Sequence, residues 1–267
     1  MSAPEADGLR EIVPLGTNGF YPSHGRQTMS FLLAGDRRAL LLDAGTGVGR
    51  LREPAVAARL AGVERLDVLL THYHLDHVVG LTYLGAAWGG PVRLLAPAPP
   101  LVDAEPEEAL SRLIGPPLFP LALDAFPVEV TVEPYRGDLE LDGLAVRTRR
   151  QSHPGASVGL RLGDRLAYVT DTIADPETAR FAEGVSWLLH EVWVDDRQAE
   201  EDPRLVAGHA AAGAVARIAD QAQAGRLVPV HHHPLRAASE LAALHDELRA
   251  ASPVAVEVLA EGVPRTL

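Results

Sequence analysis

Thr71-His72-Tyr73-His74-Leu75-Asp76-His77 places three imidazoles and a carboxylate within six consecutive residues. The apolar run Val68-Leu69-Leu70 precedes it directly and the apolar pattern Val78, Val79, Leu81, Leu84 follows, so the stretch reads as strand, ligand loop, helix. A strand ending near Thr71 fixes the loop at its mouth, and alternation turns His72 and His74 to the same side. Asp76 falls where the helix begins, a place where unpaired N–H groups and the helix dipole favour a carboxylate. A lone histidine at a strand end is most often a satisfied polar residue. Three of them with an aspartate beside a buried strand are costly unless a cation neutralises and pairs them. Imidazole with carboxylate suits zinc first and manganese or iron after it, and the chain has no cysteine to offer thiolate.

The heptapeptide matches H-x-H-x-D-H and so resembles the metallo-β-lactamase superfamily of hydrolases. That resemblance implies an α/β fold, the αββα four-layer sandwich. A length of 267 residues suits one large α/β domain spanning 1–267, and 47% hydrophobic residues suffice for a full core. No stretch is long enough to span a bilayer and Met1 to Arg10 is polar rather than signal-like, so a soluble, cytoplasmic protein with no membrane partner is expected. The lack of cysteine leaves the redox compartment open. All 24 basic residues are arginine and the net charge is −12, without the basic stripe of a protein that tracks a phosphate backbone. Large nucleic acids are therefore disfavoured as substrates.

Taken in order, Glu11 to Leu15 reads as a strand leading into the turn Gly16-Thr17-Asn18-Gly19. That turn, with Tyr21-Pro22-Ser23 and Arg26-Gln27-Thr28-Met29-Ser30, resembles the opening of the ribonuclease Z-like branch of the superfamily. His24 reads as a surface residue, with a substrate contact as the minority reading. Phe31-Leu32-Leu33 and Ala39 to Leu42 form a hairpin, followed by Asp43-Ala44-Gly45. The resemblance makes Asp43 a support for the ligand loop; spacing alone fits an ordinary turn aspartate almost as well. Glu53 to Leu60 reads as a helix, Leu66 to Leu70 as the strand delivering the loop, and His77 to Leu84 as the helix leaving it. Pro91 to Ala96 is a strand and Pro106 to Ile114 a short helix. Gly115 to Pro120 is a stiff loop that either forms a lid, with Phe119 and Phe126 as an apolar wall, or packs in the core.

Strands at Val128 to Val132, Leu139 to Leu141 and Leu144 to Arg150 lead to Ser152-His153-Pro154, and a hairpin of 159–162 and 165–170 ends at Asp171. Pro176 to Ala182 is helical, and Trp187-Leu188-Leu189 is a strand ending in His190-Glu191. Val206 to Ala224 reads as an alanine-rich helix containing His209 and stopped by Gly225. Leu227 to Val230 ends in His231-His232-His233, a helix covers about Ala237 to Ala250, and a final strand covers Val254 to Leu259.

Polar residues at strand ends thus make a constellation of His72, His74, Asp76, His77, His153, Asp171 and His231, enough donors for two divalent metal ions sharing a carboxylate. The superfamily resemblance implies the partition: His72, His74 and His153 on one ion, Asp76, His77 and His231 on the other, Asp171 bridging. His232 and His233 read as neighbours of the site or surface groups. Such a centre lowers the pKa of a bridging water and polarises the electrophile, so a metal-bridging hydroxide is the expected nucleophile. The chain has no G-x-S-x-G elbow and no P-loop to serve another mechanism.

Leu188-Leu189-His190-Glu191-Val192-Trp193 and Gly208-His209 resemble the H-E-A and H-S-T elements of the ribonuclease Z group. The likeness implies that Glu191 orients His209 toward the scissile phosphate, with Asp76 also available as a base. Ala210 and Ala211 stand where that group has hydroxyls, and His209 could be a simple helix N-terminal residue. Only 17 residues separate His153 from Asp171, too few for the projecting arm with which tRNA-processing members grip tRNA. A phosphodiesterase acting on a small phosphodiester, or a ribonuclease Z-like nuclease acting on a short nucleic acid, is therefore expected ahead of a tRNA-processing enzyme, and many relatives being dimers implies a homodimer. The runner-up is a lactone or thioester hydrolase, and a non-catalytic metal-binding protein is the reading from another class.

Overall fold

Unbroken apolar runs flanked by polar residues become the parallel strands of this chain. A computed structural model describes residues 8–267; the polar N-terminal segment expected at Met1 to Arg10 lies outside the described residues up to residue 7. Two compact units follow from the packing of the chain: residues 8–21, 26–136 and 260–267 form one, and residues 22–25 and 137–259 the other.

In the first unit, β1 (Leu9–Gly16), β2 (Ser30–Gly35), β3 (Ala39–Leu42), β4 (Leu66–Leu69), β5 (Val92–Pro97) and β6 (Val130–Tyr135) lie side by side in chain order, with Arg265–Thr266 added at the β1 edge. Strands β1 to β3 pair antiparallel and β3 to β6 parallel. Every residue of β3 and β4 is buried, as expected of parallel strands covered on both faces. Leu41, Val68 and Leu94 anchor the core, which Leu81, Leu84 and Leu110 complete. Because β3 and β4 run the same way, their C-terminal ends share one edge, where loops of open α/β sheets gather functional groups. Asp43 and Thr71-His72 follow directly from these two strands, and the Asp43 N–H donates to the Leu69 carbonyl at 3.0 Å.

The second unit holds β7 (Leu139–Leu141), β8 (Leu144–Gln151), β9 (Ser157–Leu162), β10 (Leu166–Val169), β11 (Trp187–Glu191) and β12 (Leu227–Val230), again in chain order across the sheet. Asp142 and Gly143 both have positive φ, 48° and 86°, the geometry a two-residue hairpin needs between β7 and β8. Strands β10, β11 and β12 are parallel and wholly buried, and their C-terminal ends deliver Asp171, Glu191 and His231 to one edge. Leu188, Val169, Phe181, Ile218 and Leu244 belong to the core beneath. Among the described residues no helix is long and apolar enough to cross a membrane.

Several expected elements differ. The helix after the ligand loop is three short pieces, Leu75–Val78, Val79–Tyr83 and Leu84–Ala87, because Gly80 packs so closely that a Cβ there would stand 2.1 Å from the Gly45 carbonyl oxygen. The helix expected over Val206 to Ala224 covers only Ala212–Gln221, since Val194 and Ala211 form a β-bridge and the Trp193 N–H donates to the Ala210 carbonyl. His209 is therefore a loop residue. Val254 to Leu259 makes a single bridge, Leu227 to Val256, rather than a strand. A helix at Asp196–Glu201, capped reciprocally by Asp195 and Gln198, had no counterpart in the sequence reading. Phe119 and Phe126 lie with ring centroids 5.7 Å apart and pack against the core of the first unit.

Candidate metal centre

The first unit contributes its ligand loop from a buried carboxylate upward. Asp43 is fully buried with φ 55°, and it accepts from the Thr71 N–H at 2.7 Å, from the Thr71 hydroxyl at 2.9 Å and from His77 Nδ1 at 2.8 Å. The Thr71 hydroxyl, its proton engaged by Asp43, is the acceptor for His72 Nδ1 at 3.0 Å. One carboxylate thereby fixes the protons of both imidazoles on Nδ1, leaving each Nε2 as a lone-pair donor. His77 Nε2 stands 3.4 Å from Asp76 Oδ2, and the His72 ring lies 4.6 Å from that of His74 and 4.2 Å from that of His77. The Phe20 N–H donates to Asp76 Oδ2 at 2.7 Å. The support role expected of Asp43 is thus its place in the structure.

A second set converges at the C-terminal edge of β10 to β12. His153 Nδ1 donates to the Gly208 carbonyl at 3.0 Å, and its Nε2 stands 3.4 Å from Asp171 Oδ1. His231 Nε2 stands 3.2 Å from the same oxygen. The Thr170 hydroxyl donates to Asp171 Oδ2 at 2.6 Å, and both Asp171 and His231 take φ 53°, a left-handed backbone that turns their side chains at the strand tip. Glu191, fully buried, accepts from His209 Nδ1 at 2.9 Å and from the Thr172 N–H at 2.8 Å, with His231 Nδ1 at 3.3 Å. Burial alone would push the Glu191 carboxyl up, but hydrogen bonds from His209 and His231, with their charge, hold it below its ordinary value. His209 stacks on Trp193, centroids 4.3 Å apart and planes 14° from parallel.

These donors fit a metal ion. Two ligands at bonds of about 2.0–2.1 Å and a tetrahedral angle stand about 3.3 Å apart. The three imidazole-to-carboxylate spacings, 3.4, 3.4 and 3.2 Å, match that separation. They lie at or beyond the long end of hydrogen-bond distances. Candidate ligand atoms of Asp171, His209 and His231 all fall within 4.8 Å of one another.

Within each unit the expected residues come together: His72, His74, Asp76 and His77 in one, His153, Asp171, Glu191, His209 and His231 in the other. His24 is exposed, as expected of a surface residue. His232 is buried and packs edge-on against His245 at 5.0 Å, whereas His233 packs against Trp193 at 4.5 Å. The sequence reading missed Thr71, Trp193, the Gly208 carbonyl and the Phe20 N–H. Alternation offered one signal, since Trp193 lies two residues beyond Glu191.

A family profile described as a beta-lactamase superfamily domain matches residues 38–232. The chain is 28% identical over 275 residues to ribonuclease Z of Nocardia farcinica, covering 83% of this chain and 87% of that protein. It is 42% identical to ribonuclease Z of a Bradyrhizobium species over 72 residues only, 27% of this chain and 23% of that one. Among solved structures it resembles the metallo-beta-lactamase fold protein YhfI of Bacillus subtilis, with a TM-score of 0.73 at 19% identity over 97% of this chain and 100% of that one. Unliganded yeast PDE1 matches with a TM-score of 0.69 at 14% identity, over 97% and 99% of the two chains.

Proposed function

Since the chain belongs to the β-lactamase superfamily and has the metallo-β-lactamase fold, we propose that it is a two-metal hydrolase of small phosphodiesters or short nucleic acids. His72, His74 and His153 would hold one ion, Asp76, His77 and His231 the other, and Asp171 both. Each unit carries only part of this set, so the reading needs residues 1–267 to work as one domain. Zinc is the expected metal, ahead of manganese and iron, given a donor set of imidazole and carboxylate alone. When bound, the ions would supply Lewis acidity and a water acidified toward neutral pH. A cytoplasmic place of action and a homodimer belong to the same reading.

The observation that carries a phosphodiester substrate is the buried Glu191 on His209 Nδ1 at 2.9 Å. A carboxylate there engages Nδ1 and orients the ring, so His209 Nε2 would be the atom that gives a proton to the departing oxygen. Trp193 holds the plane of the ring by stacking. Asp76, whose Oδ2 accepts from the Phe20 N–H, would be the base that takes the proton of the attacking water. A lactone needs less help at its leaving oxygen, which stays tethered to the product. The relatives named ribonuclease Z support the same class.

Elemental analysis with parallel assays on bis(p-nitrophenyl) phosphate and a lactone panel tests this. Two equivalents of metal are expected, with diesterase activity that His74→Ala and Asp171→Ala abolish in folded protein. Lactone turnover without diester turnover would favour the runner-up, and neither activity in metal-loaded protein would favour a non-catalytic metal-binding protein. A precursor tRNA should stay uncut at its 3′ side.

A further inference from the structure

The loop between β1 and β2 presents an aromatic ring at the carboxylate of the ligand loop. Phe20 is 72% exposed, yet its backbone sits at φ 64°, a conformation that a bulky side chain rarely adopts. That backbone turn aims the Phe20 N–H at Asp76 Oδ2, 2.7 Å away, and sends the ring outward. Tyr21 meets it edge-on with centroids 5.4 Å apart, and Leu75, within the ligand loop, is 61% exposed.

The loop is held at its base as well. Glu261 accepts from the Thr17 N–H at 2.9 Å, the Thr17 hydroxyl at 3.0 Å and the Gln27 N–H at 3.0 Å, and Arg50 pairs with it at 2.9 Å. Arg26 Nε donates to Asn18 Oδ1 at 2.6 Å, and the Asn18 N–H to the Gln27 carbonyl at 2.9 Å. If the turn served only to bring an N–H to Asp76, glycine at position 20 would do so without steric cost. A large ring kept at a left-handed position, anchored at both ends and left in solvent, is preorganised for a flat partner.

We propose that Phe20, backed by Tyr21, is a specificity-determining platform that stacks on a nucleobase carried by the substrate beside its phosphodiester. The inference rests on the diesterase reading for the phosphate and on the loop geometry for the base. Every base has a π-face, so the platform selects base-bearing over base-free esters without choosing a sequence.

Two measurements keep the inference separate from the reading beneath it. The first compares kcat/KM for thymidine 5′-(p-nitrophenyl phosphate) and ethyl p-nitrophenyl phosphate, which share a leaving group. Phe20→Ala should lower the ratio about 5- to 160-fold, the range of one stacked base, and Phe20→Trp should preserve it. The second is calorimetric binding of adenosine 5′-monophosphate against ribose 5-phosphate, which needs no turnover; wild type should prefer the nucleotide and Phe20→Ala should erase the preference. Base-selective binding in a protein that cleaves neither ester would keep the platform and reject the diesterase reading. Cleavage with equal ratios in wild type and Phe20→Ala would keep the reading and overturn the platform. A Phe20-dependent dimer at assay concentration would also overturn it, because the ring would then be covered by a second copy.

Discussion

Replacing Asp43 with asparagine changes one atom of the ligand-loop support and nothing of its shape. Asparagine tolerates the φ of 55° found there, so the backbone is not perturbed. Oδ1 still accepts the Thr71 N–H at 2.7 Å, and the Thr71 hydroxyl, 3.0 Å from the same oxygen, can turn to it. The amide NH2 in place of Oδ2 then faces the His77 Nδ1–H at 2.8 Å, donor against donor. Leaving that buried donor unmet costs about 1–3 kcal/mol. Moving the proton of His77 to Nε2 removes the clash and gives Asp76 Oδ2, 3.4 Å away, a donor, but it takes away the lone pair that the metal would use. The metal-free protein should therefore lose no more than about 1–3 kcal/mol, while metal affinity falls about 10- to 100-fold, as for other groups that orient ligands. Asp43→Ala leaves three buried donors without an acceptor, the Thr71 N–H, its hydroxyl and His77 Nδ1–H, and should cost about 3–5 kcal/mol. Urea melts in chelator give the first quantity and zinc competition against a coloured chelator gives the second. An Asp43→Asn protein that binds two metals as tightly as wild type would refute the tautomer argument, whatever its stability.

His209→Ala should lower kcat about 10²- to 10⁴-fold on a diester with an alkyl leaving group and much less on one leaving as p-nitrophenolate, which needs no proton; equal losses on both, with metal lost, would make His209 a ligand instead. Glu191→Gln should keep the metal-free fold but lower kcat on alkyl diesters more than on p-nitrophenyl diesters, because the carboxylate that accepts from His209 Nδ1 and orients the ring is gone. Asp175 lies below its ordinary carboxyl value because the Glu177 N–H and Arg149 outweigh its burial. Its stabilising contribution is therefore complete above the unfolded value, about pH 4, and is lost as pH falls through the lower folded value, so Asp175→Asn should flatten the acid limb of stability against pH. Stripping metal should abolish turnover and lower the melting temperature, and restoring free zinc to a hundred times Kd should return about 2.7 kcal/mol of stability for each site filled.

The residues legible in the sequence are those whose position is fixed by their own strand. Five buried strands end within two residues of a functional side chain: β3 at Asp43, β4 at Thr71, β10 at Asp171, β11 at Glu191 and β12 at His231. A run of apolar residues gives the strand, its end gives the edge of the sheet, and the first polar residues beyond must be the ones presented there. His209 obeys a different rule. Its neighbours Ala210 and Ala211 have the composition of the helix that follows, yet they pair with Trp193 and Val194, some seventeen residues earlier, and that pairing draws His209 out of the helix to meet Glu191. Nothing in local periodicity encodes a partner so far away, because the alanines satisfy helix and bridge equally well. The same holds for the broken helix after the ligand loop, where contact of Gly80 with Gly45 decides the shape, and for Phe20, where a strained backbone is held by a carboxylate 56 residues distant. The candidate ligands Asp171 and His231 are thus readable as strand ends. His209 and Phe20 depend instead on tertiary pairings, so substitutions there should alter affinity and selectivity before they alter the fold.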